Sequence, residues 1–197
     1  FRSERLISLA GADKTRVLLA ALLLSPHIPL LFMGEEFGET HPFLFFTDFH
    51  GELAKAVREG RAKEFTGHAG HDETVPDPND VNTFIRSKLD WNKIATDEGK
   101  TWLRYTRHLL TLRHRYIVPL LHPGGAVEGH VLKTAPGMVA VSWRFPSGTL
   151  SLALNIGTKP VDLPALAGET RFAWPEVNDV LPPNGIVVRF ADGEASL

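Results

Sequence analysis

Gly34-Glu35-Glu36 stands at the end of the apolar run Ile28 to Met33, and two adjacent carboxylates there are well suited to acid–base or ligand-binding chemistry. Consecutive residues on extended backbone point to opposite sides, whereas the acid and nucleophile of a retaining glycosidase face one bond from about 5 to 5.5 Å apart. Glu35 and Glu36 are therefore not such a pair. They read either as ligand contacts or as caps of neighbouring loops. Because ligands of α/β folds gather outside the carboxyl ends of strands, the contact reading has a physical basis for at least one of them. Downstream, Phe43, Phe45, Phe46 and Phe49 share a loop with His41 and Asp48. Such rings either offer a stacking platform to a sugar or pin the loop to a core, and the burial tendency of phenylalanine favours pinning. Trp91, in Leu89-Asp90-Trp91, has the same two readings. His68, His71, Asp72 and Glu73 lie close together, but their spacing matches no metal signature and they read as a solvated loop; no metal and no cofactor is assigned. There is no Gly-x-Ser-x-Gly elbow, no phosphate-binding glycine loop and no Walker lysine.

The elements that must position these groups follow from periodicity. "GADKTRVLLAALLLSP" predicts a helix with Asp13 near its N-cap, ended by Pro26 and apolar almost all round, hence buried on more than one side. "IPLLFM" predicts a strand covered on both faces, as in a parallel sheet flanked by helices. Residues 52–65 predict a short surface helix, and the stretch from Thr66 to Asn92 reads as loop, punctuated by Asn, Asp and Pro. A connection this long is more often functional than decorative. A second amphipathic helix carries Trp102, Tyr105, Leu109, Leu112 and Tyr116, starts near Thr96 or Asp97, and ends in Arg113, His114 and Arg115, which suit its negative end. Beyond residues 119–125 the period changes to two. Val139, Val141, Trp143 and Phe145 alternate with smaller or polar residues, as do Leu150, Leu152 and Leu154, with Pro146-Ser147-Gly148 as the hairpin turn. Further short strands are expected at "KPVDL", "RFAW" and "GIVVRF", at the spacing of an antiparallel sandwich.

Composition narrows the classes. A chain with 43% hydrophobic and 22% charged residues is globular, and a net charge of −2 without a Lys/Arg block argues against a nucleic-acid partner. The stretch Val17 to Met33 is broken by Pro26, His27 and Pro29 and falls short of the roughly 20 residues a spanning helix needs, so no membrane partner is expected. Zero cysteines exclude disulfides and thiolate metal sites and fit a reducing compartment, with the cytoplasm as the default. The chain opens on Phe rather than Met, and its true N-terminus is expected to lie upstream.

"PLLFMGEEFGE", "PFLFFTDF", "AVREGRAKEF", "PDPNDVNTF" and "SKLDW", in this order and spacing, resemble the C-terminal part of the maltooligosyltrehalose trehalohydrolases, members of the α-amylase superfamily. "FRSERL" resembles the segment just after that family's last catalytic Asp. The resemblance implies α/β plus all-β architecture: the C-terminal part of a (β/α)8 barrel over residues 1–119, with "IPLLFM" as its last strand, followed by an antiparallel β-sandwich over residues 120–197. It implies hydrolysis of the α-1,4 bond next to the trehalose unit of maltooligosyltrehalose, an α-glucan oligosaccharide, and release of trehalose. The family's Asp nucleophile, Glu acid and stabilising Asp have no matching positions here, so the implied partner is a missing N-terminal part of the same protein, without which this piece is inactive. The residues the resemblance places near sugar are, in order, Glu36, Glu35, Asp48, Phe46 and Trp91. A glycogen branching enzyme has a stretch similar to "PLLFMGEEFG", and a non-catalytic carbohydrate-binding module is the remaining alternative.

Overall fold

The computed structural model describes residues 3–65, 75–121 and 128–193. Among these residues five α-helices are followed by antiparallel strands: α1 Leu6–Ala10, α2 Ala12–Leu24, α3 Gly51–Phe65, α4 Val81–Ser87, α5 Asp97–Leu112, then β1 Glu128–Ala135, β2 Met138–Phe145, β3 Gly148–Asn155, β4 Val161–Asp162, β5 Glu169–Trp174, β6 Val180–Leu181 and β7 Gly185–Asp192.

Helix α2 is built from strong helix formers and buries Val17, Leu19, Ala20, Leu23 and Leu24. Its N-cap is Gly11; Asp13 lies instead in the first turn, where it accepts from Arg16 at 2.9 Å and sits favourably toward the positive helix end. Helix α5 starts at Thr96, whose hydroxyl accepts from the Gly99 N–H at 3.0 Å. Arg113 does not stay at the end of its own helix. Its guanidinium turns to α2 and donates to the carbonyls of Leu23, Ser25 and His27 at 2.7–2.8 Å, satisfying acceptors that a helix end leaves unpaired.

Residues 28–33, expected as a buried strand, form none. A strand exists only by pairing, and no described segment offers them an edge. Leu31 packs on the main core, while Ile28 and Leu30 are 93% and 87% exposed and Phe32 and Met33 are also open. Within the stretch from Thr66 to Asn92, expected as loop, the described residues hold α4, N-capped by Asp80 through the Asn82 N–H, and the start of a 3-10 turn Trp91–Ala95, capped by Asp90 through the Asn92 N–H. The signal was the Asp-x-Asn spacing at each start.

The main sheet runs β1-β2-β3-β7-β5, and β4 pairs with β6 in a second, two-stranded sheet. Alternation divides the main sheet cleanly. One face carries the cross-strand rows Trp143–Leu150–Phe190 and Val141–Leu152–Val188 and packs with Phe172 against Leu24, Leu109 and Ile117 of the helical layer. The opposite face carries Met138, Ala140, Ala153 and Val187, covered by Leu166 and Leu181. Trp143 and Trp174 are partly buried against the first cluster. Strand β1, absent from the expected pattern, pairs among the described residues only with β2 and is mostly exposed, so no apolar alternation marks it.

Candidate functional site

Gly34 and Gly38 bracket one 3-10 turn, Glu35–Phe37, and both have left-handed φ, +90° and +73°. A Cβ at Gly34 would lie 2.6 Å from Glu39 Cβ, and one at Gly38 would lie 2.5 Å from Trp102 Cδ1. Glycine is therefore needed twice, for backbone shape and for close approach. The turn is closed by Glu39 N–H donating to the Gly34 carbonyl at 2.9 Å, with Phe37 fully buried beneath it. From behind, α5 contributes Thr106, whose hydroxyl donates to the Glu36 carbonyl at 3.2 Å. From the front, Arg5 straddles the hairpin-like path: Nη1 donates to Met33 O and Nε to His41 O, both at 2.8 Å, with the guanidinium over Phe32.

Both adjacent carboxylates are engaged with backbone. Glu35 Oε2 accepts from Phe32 N–H at 3.0 Å, and Glu36 Oε2 accepts from Gly34 N–H at 2.9 Å. Among the described residues each uses one oxygen in this way. The carboxylate that the spacing did not single out is Glu39. Its side chain is fully buried; Oε1 accepts from Thr40 N–H, His41 N–H and His41 Nδ1 at 2.7, 2.8 and 3.1 Å, and Oε2 accepts from Asp90 N–H at 2.6 Å. Burial alone pushes this carboxyl up, but the amides of His41, Asp90 and Thr40, with the charge of His41, outweigh it and hold the group below the usual range. A folded value below the unfolded one contributes stability above about pH 4.3, and that contribution is lost as pH falls through the depressed folded value. Urea unfolding between about pH 5 and about pH 3 is therefore expected to show a shallower loss of stability in Glu39→Gln, which has no carboxyl to protonate, than in the parent.

The phenylalanine loop is pinned from the opposite side. Asn79 Oδ1 accepts from the Thr47 hydroxyl at 2.9 Å and from Phe49 N–H at 3.2 Å, and the Ser87 hydroxyl accepts from the buried Leu44 N–H at 3.0 Å. Rings Phe32, Phe43, Phe46 and Phe84 meet edge to face in a chain, with centroids 5.1–5.7 Å apart. Between this loop and α4 lies a cleft of about 530 Å³ lined by Phe46, Asp48, Asn79, Asp80 and Phe84. The Asp48 carboxylate is fully exposed, 3.9 Å from His50.

The structure thus brings Phe46 and Asp48 into one cleft. Glu35 and Glu36 sit on the Gly34–Gly38 turn, and Trp91 stands beside that turn, 65% exposed, its ring 5.9 Å from Phe37. His68, His71, Asp72 and Glu73 lie outside the described residues. Arg5 and Glu39 were missed by sequence reasoning, since Arg5's partners Met33 and His41 and Glu39's partner Asp90 lie 28 to 51 residues away and no local spacing marks them.

Comparison with known proteins follows the same lines. No family model matches the chain. Malto-oligosyltrehalose trehalohydrolase of Deinococcus radiodurans is 49% identical over 104 residues, 52% of this chain and 17% of its own length. The enzyme of that name from Brevibacterium helvolum is 34% identical over 177 residues, 89% of this chain and 29% of its own length. A solved Salmonella typhimurium structure named after alpha amylase is 62% identical, with a TM-score of 0.91 over 96% of this chain and 32% of that one. Trehalulose synthase of Pseudomonas mesoacidophila, at 17% identity and a TM-score of 0.61 over 96% of this chain and 42% of that one, shares the fold alone. The chain spans 17% to 29% of the length of the curated relatives it matches. It belongs to the malto-oligosyltrehalose trehalohydrolase family of the α-amylase superfamily and corresponds to the C-terminal part of its members.

Proposed function

We propose that these residues form the rim and support of the cleft in a glycoside hydrolase that cleaves the α-1,4-glucosidic bond next to the trehalose unit of maltooligosyltrehalose and releases trehalose. The observation that carries this reading is the relatives of that name, 32% to 49% identical. The geometry supports a substrate-holding role rather than a reacting one. Glu35 and Glu36 each spend an oxygen on their own turn, which fixes them as hydrogen-bond acceptors for sugar hydroxyls. Trp91 offers an exposed ring face, and the cleft offers Phe46 beside the exposed carboxylate of Asp48. The nucleophilic and acid carboxylates then belong to the remainder of the polypeptide. There the nucleophile attacks the anomeric carbon, the acid protonates the leaving oxygen, and water releases the glycosyl-enzyme.

The same reading makes residues 28–33 the last strand of a (β/α)8 barrel over residues 1–119, whose other strands cover the exposed sides of Ile28 and Leu30, with the sheets from residue 120 onward as the C-terminal β-sandwich. Among the described residues no helix is long and apolar enough to cross a membrane. The cysteine-free composition supports a reducing compartment, and we place the protein in the cytoplasm.

The test is to express the full-length polypeptide that contains these residues and to assay it on maltooligosyltrehalose. Free trehalose is expected, with none from residues 1–197 alone. Formation of branched glucan without trehalose would replace this reading with a branching enzyme, and binding without turnover would replace it with a carbohydrate-binding module.

A further inference from the structure

Glu39 is buried to 2% exposure and does not itself meet solvent, yet its two oxygens serve two different segments. Oε1 gathers the amides of Thr40 and His41 on its own side, and Oε2 takes the single amide of Asp90, 51 residues away. Asp90 in turn caps the 3-10 turn that begins at Trp91, accepting from the Asn92 N–H at 3.0 Å. The ring of Trp91 is tilted over that of Phe37, which is fully buried inside the Gly34–Gly38 turn. Trp91 is therefore held to one turn in two ways, through the amide of the preceding residue, Asp90, by Glu39 and through its own ring by Phe37, while two thirds of it stays open. An exposed indole normally gains little from such anchoring, because surface tryptophan can settle in several rotamers. A ring whose orientation is set from behind suits a flat ligand face, and a pyranose presents one made of C–H groups.

We infer that Glu39 is a positioning residue, which clamps the Asp90–Trp91 corner to the Gly34–His41 turn and so sets the Trp91 indole as a stacking contact for a glucose ring remote from the scissile bond. This rests on the glycosidase reading above. The clamp adds what that reading lacks, a reason why a carboxylate that touches no substrate should alter how substrate is held. A contact remote from the reacting bond is made in ground and transition states alike, so its loss raises KM and leaves kcat nearly unchanged.

Glu39→Gln in the full-length polypeptide separates the two oxygens. The amide keeps its carbonyl toward Thr40 and His41, which needs one acceptor for two donors, and turns its NH2 against the Asp90 N–H, donor against donor. The expected result is a rise in KM for maltooligosyltrehalose of about tenfold with kcat within about twofold. Trp91→Ala should show the same split, and the double variant should be no worse than either single one, since both remove one contact. Amide hydrogen exchange at Asp90 and Trp91 should quicken in Glu39→Gln without ligand present. Should Glu39→Gln not fold, Asp90→Pro removes the donated N–H itself at a φ of −84° that proline tolerates, with Asp90→Ala, which keeps the N–H, as its control. The clamp is overturned if the Asp90 amide exchanges in Glu39→Gln as in wild type, or if Asn92 and Lys93 exchange in Asp90→Pro no faster than in Asp90→Ala, and the sugar contact is overturned if KM is unchanged or if the two KM effects multiply. A wild-type protein that releases no trehalose sinks the functional reading instead, and the exchange measurement still decides the clamp.

Discussion

Trp102→Ala is expected to lower the unfolding free energy by about 3–5 kcal/mol, the range for removal of a buried large aromatic. The indole is 1% exposed and occupies the junction of α5, α2 and the Gly34–Gly38 turn. Its ring meets Tyr105 edge to face at 6.2 Å and carries the Arg16 guanidinium at 4.9 Å. Two features keep the gap from closing. The ring already lines a pocket of about 100 Å³ with Leu18, Leu19 and Leu22, so truncation enlarges an existing void instead of opening one that neighbours could fill. Against the ring stands the backbone of Gly38, which also lines that pocket, held by the turn and unable to supply side-chain atoms. Trp102→Phe should recover most of the loss, because Nε1 has no hydrogen-bond partner among the described residues and the contribution lies in ring area. Urea unfolding followed by circular dichroism measures both. A Trp102→Ala loss below about 1 kcal/mol would mean that the turn is not seated on this ring.

The same region shows what local pattern reveals and what it hides. Helix α2, helix α5 from Thr96 and the alternating faces of β2, β3 and β7 were legible because each depends on residues a few positions apart: helix formers before Pro26, a capping hydroxyl, and apolar residues at every second place. Strand character at 28–33 was inferred from apolar run length alone, and run length states only that the segment suits burial. Whether it pairs depends on a neighbour, and no described segment supplies one. For the candidate site the limit is the same. Glu35 and Glu36 drew attention by adjacency, yet the buried carboxylate is Glu39, whose Oε2 accepts from the amide of Asp90, 51 residues away. Phe46 and Asp48 share a cleft because Asn79 and Ser87 tie two distant loops together. Contacts at such separations leave no period in the sequence.

Leu30→Asp gives opposite readings in two contexts, and that contrast tests the barrel. In a polypeptide of residues 1–197 the side chain is 87% exposed, flanked outwardly by Ile28 and Phe32, so a carboxylate there is solvated. Stability should change by no more than about 0.5 kcal/mol, and self-association through the apolar side should fall, since one charge breaks a contiguous greasy surface. In the full-length polypeptide the proposed neighbouring strands cover that side. The carboxylate is then placed in a packed apolar layer with no cation beside it, at a cost of about 3 kcal/mol or more, and trehalose release should be lost with it. Leu30→Met, of similar volume, should cost less than about 1.5 kcal/mol in the longer protein and nothing in the shorter one. Thermal unfolding of the four proteins against their parents, with activity for the long pair, reads this out. If Leu30→Asp were as harmless in the full-length protein as in the short one, the outward side of residues 28–33 would remain wet there too, and no cylinder of strands could close upon it.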